Sequence, residues 1–276
     1  MLLIENICEE IFLSKKYVNL YKPLILRVCG EEYKKYPNNK EKIKGVKNVL
    51  HAMYGAYFNS DNYKKIDNFL NILVLEKQKE KDIKKIDQEI SEKILCLHTS
   101  TKERMWYVSE FYNFIFENIG PIKSVLDIGC GLNPFTLPYI PNNGEILEYH
   151  ALDIDNRIAD LNNRYFISRG MPALAGCSDV AVEMPGISAD VVFLFKLLPL
   201  IERQAKGRSL QLLKKIDAQY MIVTYPTKSL SGKKKGMRTF YADAFEAMIE
   251  SIADRDLFIS AKGEVGDELI YVVTKR

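Results

Sequence analysis

Cysteine and histidine are scarce in this sequence of 276 residues. The five cysteines are widely spaced and form no Cys-x-x-Cys pair, and there are only three histidines. This spacing supports neither a disulfide framework nor a zinc site, so we expect a protein that binds no metal.

Long apolar runs are also absent. No stretch approaches the roughly 18 residues that a membrane span requires. Acidic residues interrupt the apolar N-terminus, MLLIENICEE, early, which is a poor pattern for a signal peptide. We therefore expect a cytoplasmic protein.

Positive charge is unevenly distributed along the chain. The net charge is only +3, but residues 1–100 contain 18 Lys and Arg against 14 Asp and Glu. Residues 227–238 (TKSLSGKKKGMR) add five basic residues and no acid. This concentration favours a polyanionic partner without proving one. A solvated surface is the plainer interpretation of any single lysine.

The first 118 residues predict helices and no strand. Apolar side chains recur at helical spacing, as at Ile83, Ile86, Ile90 and Ile94. We therefore expect an all-helical N-terminal domain of residues 1–100, which binds RNA if the basic surplus is functional. The predicted helices are 23–36, 40–57, 62–75 and 81–97.

Strands and helices alternate after Gly120-Pro121, which is typical of a parallel sheet in an α/β fold. Helical stretches such as 156–169 and 202–215 separate the strands. The last two strands are joined by a short turn at 264–267, which predicts an antiparallel hairpin. The predicted strands are 122–128, 146–152, 173–176, 189–195, 219–224, 256–262 and 268–274.

The stretch Val125–Pro134 (VLDIGCGLNP) predicts a buried strand followed by a glycine loop. Gly129 and Gly131 let the backbone approach a ligand closely, where a side chain would collide. Asn133 and Pro134 predict the start of the next helix, with Asn133 as its cap. A tight turn alone would explain the glycines, so further residues must decide.

Two carboxylates favour S-adenosylmethionine as the ligand. Asp153, at the end of the second strand, can accept both ribose hydroxyls, and Asp179 after the third strand is placed to meet the adenine amino group. A dehydrogenase fingerprint needs a third glycine where this chain has Pro134. We therefore predict a Rossmann-like class I methyltransferase domain at 101–276, with a mostly parallel seven-stranded sheet.

The end of the fourth strand, where the methyl acceptor should lie, carries Lys196-Leu-Leu-Pro199. It has neither the Asn/Asp-Pro-Pro-aromatic element of amino-group methyltransferases nor a nucleophilic cysteine. A nitrogen with a free lone pair, such as guanine N7, needs no general base, so positioning suffices. Glu202 could stabilise the cationic product base. Lys196 could hold the guanine O6 or a phosphate, although a lysine that only extends to solvent is the simpler interpretation.

The chain resembles the aminoglycoside-resistance methyltransferases that modify N7 of guanine 1405 in 16S rRNA. The blocks HTSTKER and TYPTKSL are much more specific than the glycine loop. The blocks that carry the resemblance are 98–104 (HTSTKER), 126–134 (LDIGCGLNP), 153–155 (DID), 196–202 (KLLPLIE), 224–230 (TYPTKSL), 235–237 (KGM) and 267–271 (DELIY).

The resemblance implies roles for individual residues. Arg104 should grip the cofactor carboxylate with its guanidinium fork, and Lys196 and Glu202 match positions that the family needs for activity. The N-terminal helices and the loop 228–238 should bind folded 16S rRNA. The implied cofactor residues are His98, Ser100, Arg104, Gly129, Gly131, Asp153, Ile154, Asp179 and Val180. The implied RNA-binding residues are Lys228, Lys233, Lys234, Lys235, Met237 and Arg238.

Three positions depart from the family. It often has alanine at Gly129, phenylalanine at Tyr225 and asparagine at Asp267. Our leading hypothesis is a monomeric guanine-N7 methyltransferase that acts on the assembled 30S subunit. The alternatives are a small-molecule methyltransferase with a helical lid and a catalytically silent rRNA-binding or assembly factor.

Overall fold

The computed structural model describes residues 2–55, 60–79, 82–141, 146–183, 186–228, 237–252 and 256–276. A π-helical turn, His51–Gly55, and two 3₁₀ segments, Met105–Tyr107 and Asn133–Tyr139, supplement the regular elements. The helices are α1 (Leu2–Phe12), α2 (Lys22–Tyr33), α3 (Asn39–Leu50), α4 (Ser60–Lys77), α5 (Ile83–Leu95), α6 (Thr99–Arg104), α7 (Val108–Ile119), α8 (Asn156–Ser168), α9 (Leu198–Gln204), α10 (Arg208–Lys215) and α11 (Met237–Glu250). The strands are β1 (Ser124–Ile128), β2 (Glu148–Asp153), β3 (Ala175–Cys177), β4 (Ser188–Phe195), β5 (Asp217–Pro226), β6 (Leu257–Val265) and β7 (Glu268–Lys275).

The strands form one seven-stranded sheet in the order β3-β2-β1-β4-β5-β7-β6. Strands β1 to β5 pair in parallel, whereas β7 is antiparallel to both β5 and β6. Central strands such as β1 and β4 are buried on both faces, which explains their continuous apolar sequence. The predicted fold class, including the C-terminal hairpin, is confirmed.

The N-terminal helices do not pack as one unit. Helices α1, α2 and α3 have an apolar core of their own, which includes Ile11, Ile25 and Val46. By contrast, α4 and α5 contribute to the same core as one face of the sheet. The helical region that we predicted as residues 1–100 therefore divides between a separate three-helix core and the α/β unit.

Three predicted helices differ from the structure. The helix predicted at 40–57 is α-helical only to Leu50, where the π-helical turn His51–Gly55 follows. The segment 202–215 is interrupted between α9 and α10, because Ala205 is extended and Gly207 adopts a φ of +84°. The helix after the glycine loop is a 3₁₀ segment with Pro138 inside it. Asn133 does not cap it, since its amide is bound to Asp127 and Arg104.

Among the described residues, no helix combines the length and apolar character needed to cross a bilayer. The described residues also contain no group of three or more His, Cys, Asp or Glu side chains that could hold a metal ion.

Candidate active site at the carboxyl edge of the sheet

A cavity of about 1100 Å³ lies at the carboxyl ends of the parallel strands. Residues that directly follow β1, β3 and β4 line it, as expected where parallel strands end at one edge. Helix α2 and the π-helical turn contribute Leu24, Met53 and Tyr54 to the same cavity. The cavity therefore lies between the N-terminal helices and the α/β unit.

The glycine loop forms the floor of the cavity. Gly129 and Gly131 have φ values of +68° and +49°, which L side chains rarely adopt. A Cβ at Gly129 would lie 2.9 Å from Leu197 Cδ1, and one at Gly131 would lie 3.8 Å from His98 Cε1. The loop thus leaves a backbone surface that a ligand can approach closely.

Asp153 stands at the end of β2 as an acceptor for three backbone N–H groups. Its Oδ2 accepts from Gly131, and its Oδ1 accepts from Ile154 and Asp155, at 2.7–3.1 Å. Burial, followed by the charge of Asp155, raises the pKa of Asp153 to about 6. A carboxylate held in this way has about one lone-pair position left to accept a hydroxyl of a ligand.

Asp179 and Val180 line the same cavity beyond β3. The Asp179 side chain is almost buried and is bound by Arg27 of α2, whose Nε lies 2.6 Å from Oδ2. Ile154 is part of the lining and accepts a backbone hydrogen bond from Tyr21 N at 2.8 Å. Six of the residues that we expect to bind the cofactor therefore line one cavity: Gly129, Gly131, Asp153, Ile154, Asp179 and Val180.

His98 and Ser100 begin α6 on the opposite wall. Burial, with smaller contributions from Lys196 and Arg104, lowers the pKa of His98 to about 4. The imidazole is therefore neutral at pH 7 and adds no positive charge to this wall.

Arg104 lies behind the wall and does not line the cavity. It is 2% exposed, and its guanidinium carbon is 4.3 Å from the ring centre of Phe111. Its Nε and Nη2 donate to the two carboxylate oxygens of Glu268 at 2.9 Å, and Nη1 donates to Asn133. The guanidinium fork that we expected to grip the cofactor carboxylate is engaged by Glu268 in this structure.

Lys196 follows β4 and projects into the cavity. Its φ of +55° is the one positive value among the described residues other than glycine. The ammonium nitrogen lies 3.4 Å from carboxylate oxygens of both Glu103 and Glu268. The two carboxylates hold this lysine as part of a charged cluster, so it does not simply extend to solvent.

Glu202 lies on α9 and is not part of the cavity lining. Its Oε1 accepts from Gly207 N at 2.6 Å and its Oε2 accepts from Ser209 N at 3.1 Å. These donors hold the pKa of Glu202 below its ordinary value, although burial alone would raise it. The carboxylate that we expected beside the product base instead stabilises the start of α10.

The candidate RNA-binding residues are only partly described. Lys228 and Met237 line the mouth of the cavity, where Lys228 pairs with Asp267. Arg238 pairs with Glu264 at 2.6 Å. Lys233, Lys234 and Lys235 lie outside the described residues.

Two residues of the site carried no assigned role in the sequence analysis. Glu268 is fully buried between Arg104 and Lys196, and Arg27 binds Asp179. The block 267–271 was a visible signal for Glu268, since it contributes to the family resemblance. No local pattern marks Arg27, because its partner lies 152 positions away.

A Rossmann-like sheet with a glycine loop, an acidic residue at the end of β2 and a second after β3 defines a class I S-adenosylmethionine-dependent methyltransferase. Residues 13–272 match the model of one family, described as "Ribosomal RNA methyltransferase (FmrO)". The chain belongs to this family and is an S-adenosylmethionine-dependent rRNA methyltransferase.

Named relatives agree with this assignment. A 16S rRNA (guanine(1405)-N(7))-methyltransferase from Proteus mirabilis is 30% identical, covering 99% of this chain and 97% of the relative. One of the same name from Serratia marcescens is 31% identical, covering 99% and 98%. The crystal structure of the 16S rRNA methyltransferase RmtF with S-adenosylhomocysteine superposes with a TM-score of 0.85 at 28% identity, covering 99% and 98%.

Proposed function

We propose that this enzyme methylates N7 of guanine 1405 in 16S rRNA of the assembled 30S subunit, and so confers aminoglycoside resistance. The observation that carries the proposal is similarity along nearly the whole chain to relatives named for this reaction. The cavity fits it, because the lining continues from Asp153 past Lys196 to Met237 at the mouth.

Bound S-adenosylmethionine supplies an electrophilic methyl group. We assign the methionine part to Gly129 and Gly131, the ribose to Asp153 and the adenine to Asp179. His98, Ser100, Ile154 and Val180 complete the lining of this half of the cavity.

Lys196 is assigned to the acceptor base. Guanine N7 has a lone pair and no proton, so methyl transfer requires no general base and leaves one positive charge on the base. Lys196 is anchored by Glu103 and Glu268 and can donate a hydrogen bond to guanine O6. Catalysis then rests on positioning N7 in line with the methyl group.

The test is methylation of isolated 30S subunits with labelled cofactor, and cleavage of the product with borohydride and aniline maps the modified base. We expect cleavage at guanine 1405 and lower methyl transfer by Lys196→Ala, with unchanged affinity for S-adenosylhomocysteine. Label that appears only on small molecules or on naked RNA would refute the proposal. Affinity for 30S without any methyl transfer would instead indicate a silent binding factor.

We assign the grip on the rRNA to the N-terminal helices and to Lys228, Met237, Arg238 and the lysines 233–235. Substituting Lys233, Lys234 and Lys235 together by alanine should weaken 30S binding and reduce its dependence on salt. Affinity for S-adenosylhomocysteine should remain unchanged. Filter binding at several salt concentrations measures the first effect and calorimetry the second.

A further inference from the structure

The predicted adenine-binding carboxylate is held by a side chain from the N-terminal helices. Arg27 of α2 donates from Nε to Asp179 Oδ2 at 2.6 Å and from Nη2 to Oδ1 at 3.2 Å. The two side chains are 13% and 6% exposed. An ion pair this well buried and bonded at two points fixes the orientation of the carboxylate, unlike an exposed pair.

Further bonds fix Arg27 itself. Its Nη2 also donates to Gln204 Oε1 at 2.7 Å, and its Nη1 donates to both oxygens of Glu31 at 3.1 Å. Arg208 Nη2 also donates to Glu31 Oε1, at 2.9 Å. Every guanidinium nitrogen therefore has an acceptor, and the network ties α2 to α9, to α10 and to the segment after β3.

This network forms a wall of the cavity. Asp179 and Gln204 line it, and so does Leu24, which precedes Arg27 by one turn of α2. Arg27 is thus placed behind the carboxylate, where it acts on a ligand only through Asp179.

We infer that Arg27 is a positioning residue that makes the cofactor site selective for adenine by holding Asp179 as an oriented acceptor. A carboxylate has about four lone-pair positions, so two bonds to Arg27 leave positions for the 6-amino group. A 6-carbonyl group in that place presents an acceptor to an acceptor and is rejected. The inference rests on the cofactor and on the adenine role of Asp179, and it does not depend on which rRNA base is methylated.

The experiment compares two ligands by isothermal titration calorimetry: S-adenosylhomocysteine and S-inosylhomocysteine, which has a 6-carbonyl group. The parent enzyme should prefer the adenine ligand roughly tenfold or more, the usual effect of one buried polar mismatch. Arg27→Ala should lose most of this preference, chiefly by weaker binding of S-adenosylhomocysteine. Arg27→Lys should retain only part of it, because a point charge cannot grip both oxygens.

Arg164→Ala is the matched control. Arg164 also joins an N-terminal helix to the α/β unit, through Asp67 and Asn71 of α4, but it does not line the cavity. We expect its preference for adenine to equal that of the parent enzyme. If Arg27→Ala does not fold, Glu31→Gln, which loosens Arg27 from the far side, should reduce the preference in the same direction.

Equal weakening of both ligands by Arg27→Ala would show a purely structural role and overturn the inference, as would an unchanged preference. Methylation of 30S subunits by the parent enzyme is measured in parallel. Selective binding of adenine that depends on Arg27, combined with failure to modify guanine 1405, would reject the proposed function and leave this inference standing.

Discussion

Glu268 is a fully buried carboxylate that pairs with two cations, Arg104 and Lys196. Burial opposes its ionisation, but Arg104 and then Lys196 outweigh that effect and lower its pKa to about 2. It also accepts from Thr224 Oγ1 at 2.9 Å. Because β7 is antiparallel, its first residue lies at the edge where β4 and β5 end, which brings Glu268 to Lys196.

Glu268→Gln should lower the free energy of unfolding by about 3 kcal/mol, because Arg104 would remain buried without its counter-charge. The lowered pKa of Glu268 means that this stabilisation is full above about pH 4.5 and is lost as the pH falls through about 2. Urea unfolding at pH 7 measures the loss. The control is Glu264→Gln, whose exposed pair with Arg238 should contribute less than about 1 kcal/mol. Equal losses in the two variants would contradict the buried pairing.

The raised pKa of Asp153 predicts that cofactor binding depends on pH. Its pKa of about 6 lies above the ordinary value, and the ionised form would be the better acceptor for a ribose hydroxyl. Affinity for S-adenosylhomocysteine should therefore fall as the pH drops through 6, by roughly tenfold between pH 7 and pH 5. Calorimetry across this range measures it.

The variant Asp153→Asn distinguishes titration of Asp153 from titration of Asp127. Burial raises the pKa of Asp127 to about 6 as well. The variant should bind weakly at every pH in the range and show little further loss at pH 5. A full pH dependence in Asp153→Asn would assign the titration to another group.

At the scale of elements, the junction between α9 and α10 gives Glu202 a structural role that the sequence did not indicate. The sequence indicated only an electrostatic role for Glu202, beside the product base. The structure gives Glu202 the N–H groups of Gly207 and Ser209 as partners. Glu202→Ala should therefore lower the free energy of unfolding by about 1 kcal/mol, as loss of a helix cap does.

Affinity for S-adenosylhomocysteine should change little in Glu202→Ala, because its carboxylate does not line the cavity. Thermal unfolding and calorimetry measure the two effects. Unchanged stability with a large loss of methyl transfer would favour the direct electrostatic role inferred from the sequence.

Local patterns predicted the elements that carry the cofactor. Apolar runs located β1 and β4, and the glycines and carboxylates marked the loop after β1 and the ends of β2 and β3. The same patterns could not show that Tyr54 lines the cavity or that Arg27 binds Asp179 behind its wall, since such contacts depend on how distant helices pack. Nor could they show that Asn133 binds Asp127 rather than capping a helix, because an Asn-Pro sequence fits both arrangements.

At the scale of the whole molecule, the three-helix core is joined to the cofactor edge by several bonds. Tyr54, which packs against this core, donates to Asp155 Oδ2, while Asp155 Oδ1 caps α8. Backbone bonds join Tyr21 to Ile154 and Asn19 to Asn156. Movement of α2 away from the sheet would break the wall of the cavity.

S-adenosylhomocysteine should therefore slow amide hydrogen exchange in α2. At a concentration of 100 times Kd, openings that release the ligand are suppressed by up to about 2.7 kcal/mol. Mass spectrometry of exchange should show protection in peptides covering residues 22–33 and little in α5, which packs on the segment 133–139 away from the cavity. Equal protection of both helices would argue against a specific coupling.

The walls contributed by Leu24, Met53 and Tyr54 bear on the design of inhibitors. These side chains precede the α/β unit, so a methyltransferase with the same sheet but a different N-terminal region lacks them. A competitive compound built on adenosine and extended towards Leu24 and Met53 would gain contacts available only where such helices close the site. Selective inhibition thus depends on side chains from the N-terminal helices as well as on the α/β unit that carries the glycine loop.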